Sequence, residues 1–307
     1  MKKYISSFLV LVSAVVFSQT ILNSSSPDDF RKLRSENKKR AGDSTVVSTK
    51  VEPFKYGFIE DKDVIKSITV WEIIDMNDKI NQPFYYVEDG LSTSSKSLYQ
   101  ILLDGINSGD IKEVYEDENF DTKLTPAQIK ERTRSVRYVQ EYYDRINAGE
   151  KLSDAEAKQY IDVYETTTDR VKVLKIKGMW YVDRRDGYMK YRLLGIAAMG
   201  QDPQTLGQTF ADKDELIDLF WVFYPSKEVR ELMANHIVYN SKNSASDLSY
   251  DDLLNARRFS TVIYRSEIGM GHGVVKDYIP KNAEGQLEES ERIKNQVLQM
   301  ESEMWNY

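Results

Sequence analysis

Between residues 69 and 86 the chain reads TVWEIIDMNDKINQPFYY, in which Ile73, Met76 and Ile80 recur at helical spacing. Thr69 and Glu72 have the separation of a capping box, so the pattern predicts a helix from Thr69 to about Ile80. Asn81, Gln82 and Pro83 stop it, because proline disfavours helical geometry in the residue before it, and Phe84, Tyr85, Tyr86 and Val87 read as a strand. After a serine-rich turn, Ser97 caps a second helix, LYQILLDGIN, which ends at Gly109 and leads to a strand at Ile111 to Tyr115. The order helix, strand, helix, strand defines a first α/β half, 51–124.

A helical hairpin is expected over 125–168. Thr125, Pro126 and Gln128 supply an N-cap, a first-turn proline and a capping-box partner, and Ile129, Val136, Val139, Tyr143 and Ile146 form the apolar stripe. Ser153 and Glu156 open the second helix, lined by Ala157, Tyr160, Ile161 and Tyr164. Lys130, Arg134 and Arg137 would share a face of the first. A three-stranded β-meander follows: alternation from Val171 to Ile176 breaks at Gly178, resumes at Trp180 to Val182, and turns through Asp186 and Gly187 into Met189 to Ala197.

LFWVFY, Leu219 to Tyr224, reads as a buried strand ended by Pro225. From there the earlier order returns at an offset of roughly 150 residues. Trp221 answers Trp71, Tyr239 answers Tyr86, Leu253 and Leu254 answer Leu102 and Leu103, and Tyr264 answers Tyr115. Aromatic and leucine matches arise readily by chance, so the residues leave duplication open. The meander and second α/β half occupy 169–280. In 281–307, Ile293, Val297, Met300 and Met304 mark an amphipathic C-terminal helix that must pack on its own domain or on a neighbour. The expected fold class is α+β: two α/β halves joined by a helical hairpin and a meander.

The N-terminus changes the setting. Lys2 and Lys3 precede an apolar run from Ile5 to Phe17 that is too short to span a bilayer, so 1–18 reads as a signal peptide cleaved between Ser18 and Gln19. No cysteine follows for lipidation, which predicts a soluble exported protein whose membrane attachment comes through a partner. Residues 19–50 hold few large apolar side chains and read as a flexible arm. Its Arg31, Lys32, Arg34, Lys38, Lys39 and Arg40 form a basic cluster on a chain of net charge -7. That acidic balance argues against nucleic acid as a general partner. With no cysteine at all, disulfides and thiolate metal sites are excluded together.

Catalytic apparatus is sparse. The only histidines are His236 and His272, and neither lies in a nucleophile motif; there is no Gly-x-Ser-x-Gly elbow and no Walker loop. GMGHG, 269–273, lacks the glycine spacing of a dinucleotide fingerprint and offers two copper-type ligands on a glycine-rich loop, too few for a site. Paired carboxylates could run glycoside hydrolysis, but no spacing singles out a pair. No cofactor, metal or enzymatic activity is therefore expected. The 20 tyrosines, four tryptophans and nine methionines, many in short amphipathic elements, point to packing between subunits instead. Candidate contact residues are Trp71, Phe84, Tyr85 and Tyr86, with the six basic residues of the arm.

VWEIIDMNDKINQPFYY with SLYQILLDGINSGDIKEVYEDE, then KIKGMWYVDRRDGYMKYRLLGIAAM, LFWVFYP and DDLLNARRFSTVIYRSEI, resemble the GldN/PorN family of gliding-motility proteins over about residues 60 to 280. The resemblance implies a periplasmic structural component of the type IX secretion system, without enzymatic activity. It further implies a ring formed with the outer-membrane lipoprotein GldK (PorK), and contact with the periplasmic part of GldM (PorM). The lipoprotein would then supply the membrane attachment. A periplasmic carbohydrate- or peptide-binding module, with exposed tyrosines and tryptophans stacking on ligand, is the alternative.

Overall fold

The computed structural model describes residues 52–85, 96–150, 153–206, 215–238, 248–268 and 273–304. In chain order the principal elements are β1 (Val64–Asp75), α1 (Leu98–Ser108), α2 (Pro126–Thr133), β2 (Arg134–Tyr138), α3 (Gln140–Asn147), β3 (Ile161–Glu165), β4 (Val173–Asp183) and β5 (Met189–Gly200). Then come β6 (Ile217–Phe223), α4 (Lys227–Asn235), β7 (Ile237–Val238), β8 (Leu248–Ser249), α5 (Tyr250–Asn255), β9 (Val262–Ser266) and α6 (Ala283–Met304). Single helical turns occur at Gln82–Tyr85, Asp154–Ala157 and Val275–Tyr278. The fold is α+β.

Five strands form one antiparallel sheet in the order β6-β5-β4-β1-β9, so the opening strand lies between the meander and the last strand. Period-two alternation sorts its side chains. Ile74, Leu174, Ile176, Leu193, Ile196, Ala198 and Val222 face α1, α4 and α5 across the larger core. Further along the same face, Ile68, Val70, Val182 and Ile263 meet Ile293, Val297 and Met300 of α6. The C-terminal helix thus packs on its own sheet, with Ile293, Val297 and Met300 of the predicted stripe buried. β2 and β3 form a separate two-stranded ribbon.

The capping signals place α1 and α2 as expected. Ser97 Oγ accepts from Gln100 N, and Gly109 ends α1 at φ 82°, a left-handed conformation that suits glycine. Thr125 and Gln128 close a capping box ahead of Pro126.

Several expected elements differ. Residues 64–75 are a strand, and the presumed capping-box residue Glu72 is buried in it against Arg257. That one polar residue interrupts the alternation of Ile68, Val70 and Ile74. Phe84 and Tyr85 lie in a helical turn, because Pro83 occupies a first-turn position where its missing N–H costs nothing; Tyr86 and Val87 fall outside the described residues. Tyr115 makes only isolated bridges, to Lys123 and Trp221.

The helical hairpin is replaced by α2–β2–α3 and β3. Arg134 and Arg137 therefore alternate along a strand and share no helical face with Lys130. Gly178 does not break β4: a side chain there would overlap the Tyr191 ring, so glycine admits the tyrosine at a bulge between Lys177 and Gly178. Trp71 and Trp221 both lie on strands, and Leu102 and Leu254 on helices, all serving one sheet.

Candidate interaction surfaces

Two buried acids on the helix-packed side are the first place to look for chemistry. Arg257 donates to both oxygens of Glu72, at 2.7 and 2.8 Å, and Thr261 Oγ1 donates to it at 2.7 Å. The guanidinium lies 4.1 Å from the centre of the Tyr191 ring. Burial, and then the charge of Glu72, pushes the Tyr191 phenol well above its ordinary pKa. Asp251 is saturated in the same way: Tyr224 Oη and Arg230 Nε donate to one oxygen, and Arg230 Nη2 and the Phe54 N–H to the other. Carboxylates so fully engaged have no lone pair aimed at a substrate. Both are fold-building groups.

Asp251 also anchors residues 54–58. Tyr56 lies over Arg230 at 3.9 Å and Arg192 at 4.3 Å, and its hydroxyl donates to Asn255 Oδ1 at 2.5 Å. Burial raises its pKa to about 12 against the opposing pull of Arg230. Arg192 and Arg185 donate to the carbonyls of Gly57 and Phe58. β6 pairs with β5 only from Gly195 to Gly200, so this strap lies along the part of β5 that β6 leaves uncovered. A cavity of about 390 Å³ beneath it is lined by Tyr56, Tyr181, Asp183, Lys190 and Arg192. Asp183 is held well below the usual carboxylate range by Arg185, then by Lys190.

The opposite sheet face carries Trp71 between two cations, Arg265 at 4.4 Å and Lys177 at 5.1 Å from its ring. Glu118 pairs with Arg265, and its carbonyl accepts from Lys177 Nζ. Phe120 closes the cluster edge-on to Tyr115 and Trp221. Loop 115–124 therefore seals this face, and burial lowers the Lys177 pKa.

The β2–β3 ribbon has no such interior. Its register pairs Arg134 with Glu165, Val136 with Val163 and Tyr138 with Ile161. No residue of β2, β3 or α3 is buried. Val136 is 51% exposed, Val163 48% and Tyr143 49%, and Tyr138 stacks on Tyr142 with centroids 4.1 Å apart. Thr166 N donates to Thr133 O at the base, Tyr99 Oη donates to Thr166 O, and Arg137 donates to the carbonyls of Pro203 and Gln204. A two-stranded ribbon is marginally stable alone, and contiguous exposed apolar side chains mark interaction surfaces. This ribbon is the surface best suited to a protein partner.

The expected contact residues lie elsewhere. Trp71 is 6% exposed beneath the two cations, and Phe84 is fully buried against Phe259 and Tyr250, so neither ring presents a surface to a neighbour. Tyr85 is half-buried, its hydroxyl donating to the Asp169 carbonyl. Tyr86, His272, most of GMGHG, the cleavage residues Ser18 and Gln19, and Arg31, Lys32, Arg34, Lys38, Lys39 and Arg40 all fall outside the described residues. His236 Nδ1 donates to the Leu232 carbonyl, 2.8 Å away. Among the described residues no group of three or more histidines and acids is placed to hold a metal, and no helix is long and apolar enough to cross a membrane. Sequence reasoning missed Val136, Val163 and Tyr138 as exposed residues because it assigned them, or their neighbours, to helical stripes.

The family model described as gliding motility associated protein GldN matches residues 59–306. None of the curated proteins matches.

Proposed function

This chain belongs to the GldN family and is a component of the gliding-motility and type IX secretion machinery, and from that membership we propose that it is a non-enzymatic structural subunit working in the periplasm. It assembles with the outer-membrane lipoprotein GldK (PorK) into a ring and meets the periplasmic part of GldM (PorM). The observation that carries this reading is the β2–β3 ribbon, a separate two-stranded unit with exposed valines and tyrosines and no core of its own. The buried acids support it, since Glu72 and Asp251 are consumed by arginines. Closed rings require a heterologous interface, one surface of a subunit meeting a different surface of the next.

The test is to express residues 19–307 alone and with the lipoprotein, and to weigh the products by light scattering after size-exclusion chromatography. A large, defined co-complex is expected. A persistent monomer without affinity for the lipoprotein overturns the reading and favours a periplasmic carbohydrate- or peptide-binding module.

A further inference from the structure

The main sheet has its edges engaged. On β6, Trp221 exchanges both backbone hydrogen bonds with Tyr115, at 2.8 Å each. On β9, Ile263 N donates to Ser290 Oγ, and Arg265 bridges to Val274. The ribbon differs. Thr166 N donates to Thr133 O and Val139 N to Tyr160 O, so the hydrogen-bonded pairs are the odd residues of β2. The Arg134 N–H caps α2 by donating to Lys130 O, and the C=O of Arg134 with the N–H and C=O of Val136 and Tyr138 are the groups that point outward from the β2 edge. Among the described residues none of these groups has a partner beyond its own strand pair.

A groove of about 380 Å³ runs beside this edge, lined by Glu131, Arg134, Ser135, Val136, Arg137 and Gln204. Four consecutive residues of one strand line a groove together only along its edge, since alternate side chains point to opposite faces. The Nε of Arg134 is buried with no acceptor.

We propose that this edge takes up residues 45–51 of a second copy of the chain as a third strand. Thr45-Val46-Val47-Ser48-Thr49-Lys50-Val51 is rich in β-branched residues. As a strand it places Thr45, Val47, Thr49 and Val51 on one face, continuing the Val136/Val163 stripe.

The donor is another molecule because of reach. Phe54 N is fixed on Asp251, which holds Tyr224, whose N–H donates to Leu194 O. The ribbon's base lies at the far end of β5, where Thr166 packs beside Gly200. Those six residues of strand span roughly 20 Å, whereas residues 51 to 54 reach at most about 10 Å. This inference names the contact for the assembly proposed above and rests on that reading.

The absence of native cysteine makes the test direct. Single cysteines introduced at each position from 45 to 51 are mixed with Val136→Cys, every chain starting at residue 19, and oxidised mildly in the presence of the lipoprotein. Intermolecular disulfides are expected at alternate arm positions, the signature of strand pairing. A double variant on one chain should not link to itself on dilution. Val136→Pro removes only an outward N–H, so it should keep the melting temperature of the parent and lose the assembled mass. Full assembly by Val136→Pro, linking without alternation, or links confined to one chain overturns the inference. A wild-type complex of full mass with no arm–ribbon link overturns it while leaving the assembly reading intact; alternating links in a protein that ignores the lipoprotein do the reverse.

Discussion

Glu72 on β1 and Arg257, 185 residues later, form a two-bond ion pair of 2.7 and 2.8 Å between the two parts of the core. Both charges are desolvated, and Thr261, Tyr191 and Trp180 fill the remaining space around them. Removing one partner strands the other. Arg257→Ala should cost about 3–5 kcal/mol of unfolding free energy, read as a lowered denaturant midpoint at unchanged slope. Replacing both residues by methionine should recover most of that loss, because the penalty lies in the unpaired charge. If the single and double variants are equally destabilised, packing rather than charge is what the pair supplies.

The same pair explains what was legible in the sequence. Helix ends written in local chemistry were readable: Ser97, Gly109, Thr125 and Gln128 act within four residues of themselves. So were β5, the turn into it and the alternation of β4, although that strand runs unbroken through Gly178, and so were Ile293, Val297 and Met300 of α6. Glu72 was misread because its partner is distant in sequence, and a buried glutamate inside a strand mimics a capping box at the surface. The ribbon was misread for a related reason. Val136 owes its conformation to Val163, and a five-residue strand between two short helices leaves too little periodicity to show it. The buried positions of Trp71 and Phe84 depend on Arg265, Lys177 and Phe259, contacts that no local pattern announces.

Tyr56 fastens the strap, and its phenol is raised from about 10 to about 12, chiefly by burial. Because the folded pKa lies above the unfolded one, the protonated form favours the fold. That contribution is complete below pH 10 and is lost as pH rises from about 10 to about 12. Ultraviolet titration should show a late-ionising tyrosine that Tyr56→Phe removes. Proteolysis beside Lys55 should accelerate over the same pH range; cleavage unaffected by either change would show the strap is held by its backbone contacts alone.

Asp183 behaves oppositely. Arg185, Lys190 and the Arg185 N–H hold its carboxyl below the usual range, so its contribution is present above the unfolded pKa of about 3.9 and is lost as pH falls further. Exchange of the amides in the 183–189 turn should quicken below pH 4. Arg185→Ala should move that quickening to higher pH. An unmoved profile would assign the turn's stability to its backbone bonds, such as Gly187 N to Asp183 O.

Gly178 faces Tyr191 so closely that even a methyl group has no room. Gly178→Ala must displace the ring that stacks on Arg257 and Trp180, so the damage should spread to the Glu72 pair. A loss of about 1–3 kcal/mol is expected, with altered tryptophan fluorescence. Gly187→Ala, by contrast, meets open space but a φ of 71°, and should cost only the left-handed strain, about 1–2 kcal/mol.

Hydrogen exchange can locate the docking unit before any partner is supplied. Amides of β4 and β5 sit at the centre of the sheet over Ile176, Ile196 and Leu174, and should open only with global unfolding. Those of β2 and β3 are secured by one another, by Tyr99 and by Arg137, with no buried side chain between them. In the isolated protein they should exchange at least about a hundredfold faster than the central strands, which corresponds to some 2.7 kcal/mol of local stability. Assembly should then slow them selectively, with Val136 gaining the most because its outward N–H acquires an acceptor. A ribbon already as protected as β4 in the free subunit would show it to be part of the core, and would remove it as the surface through which the protein assembles.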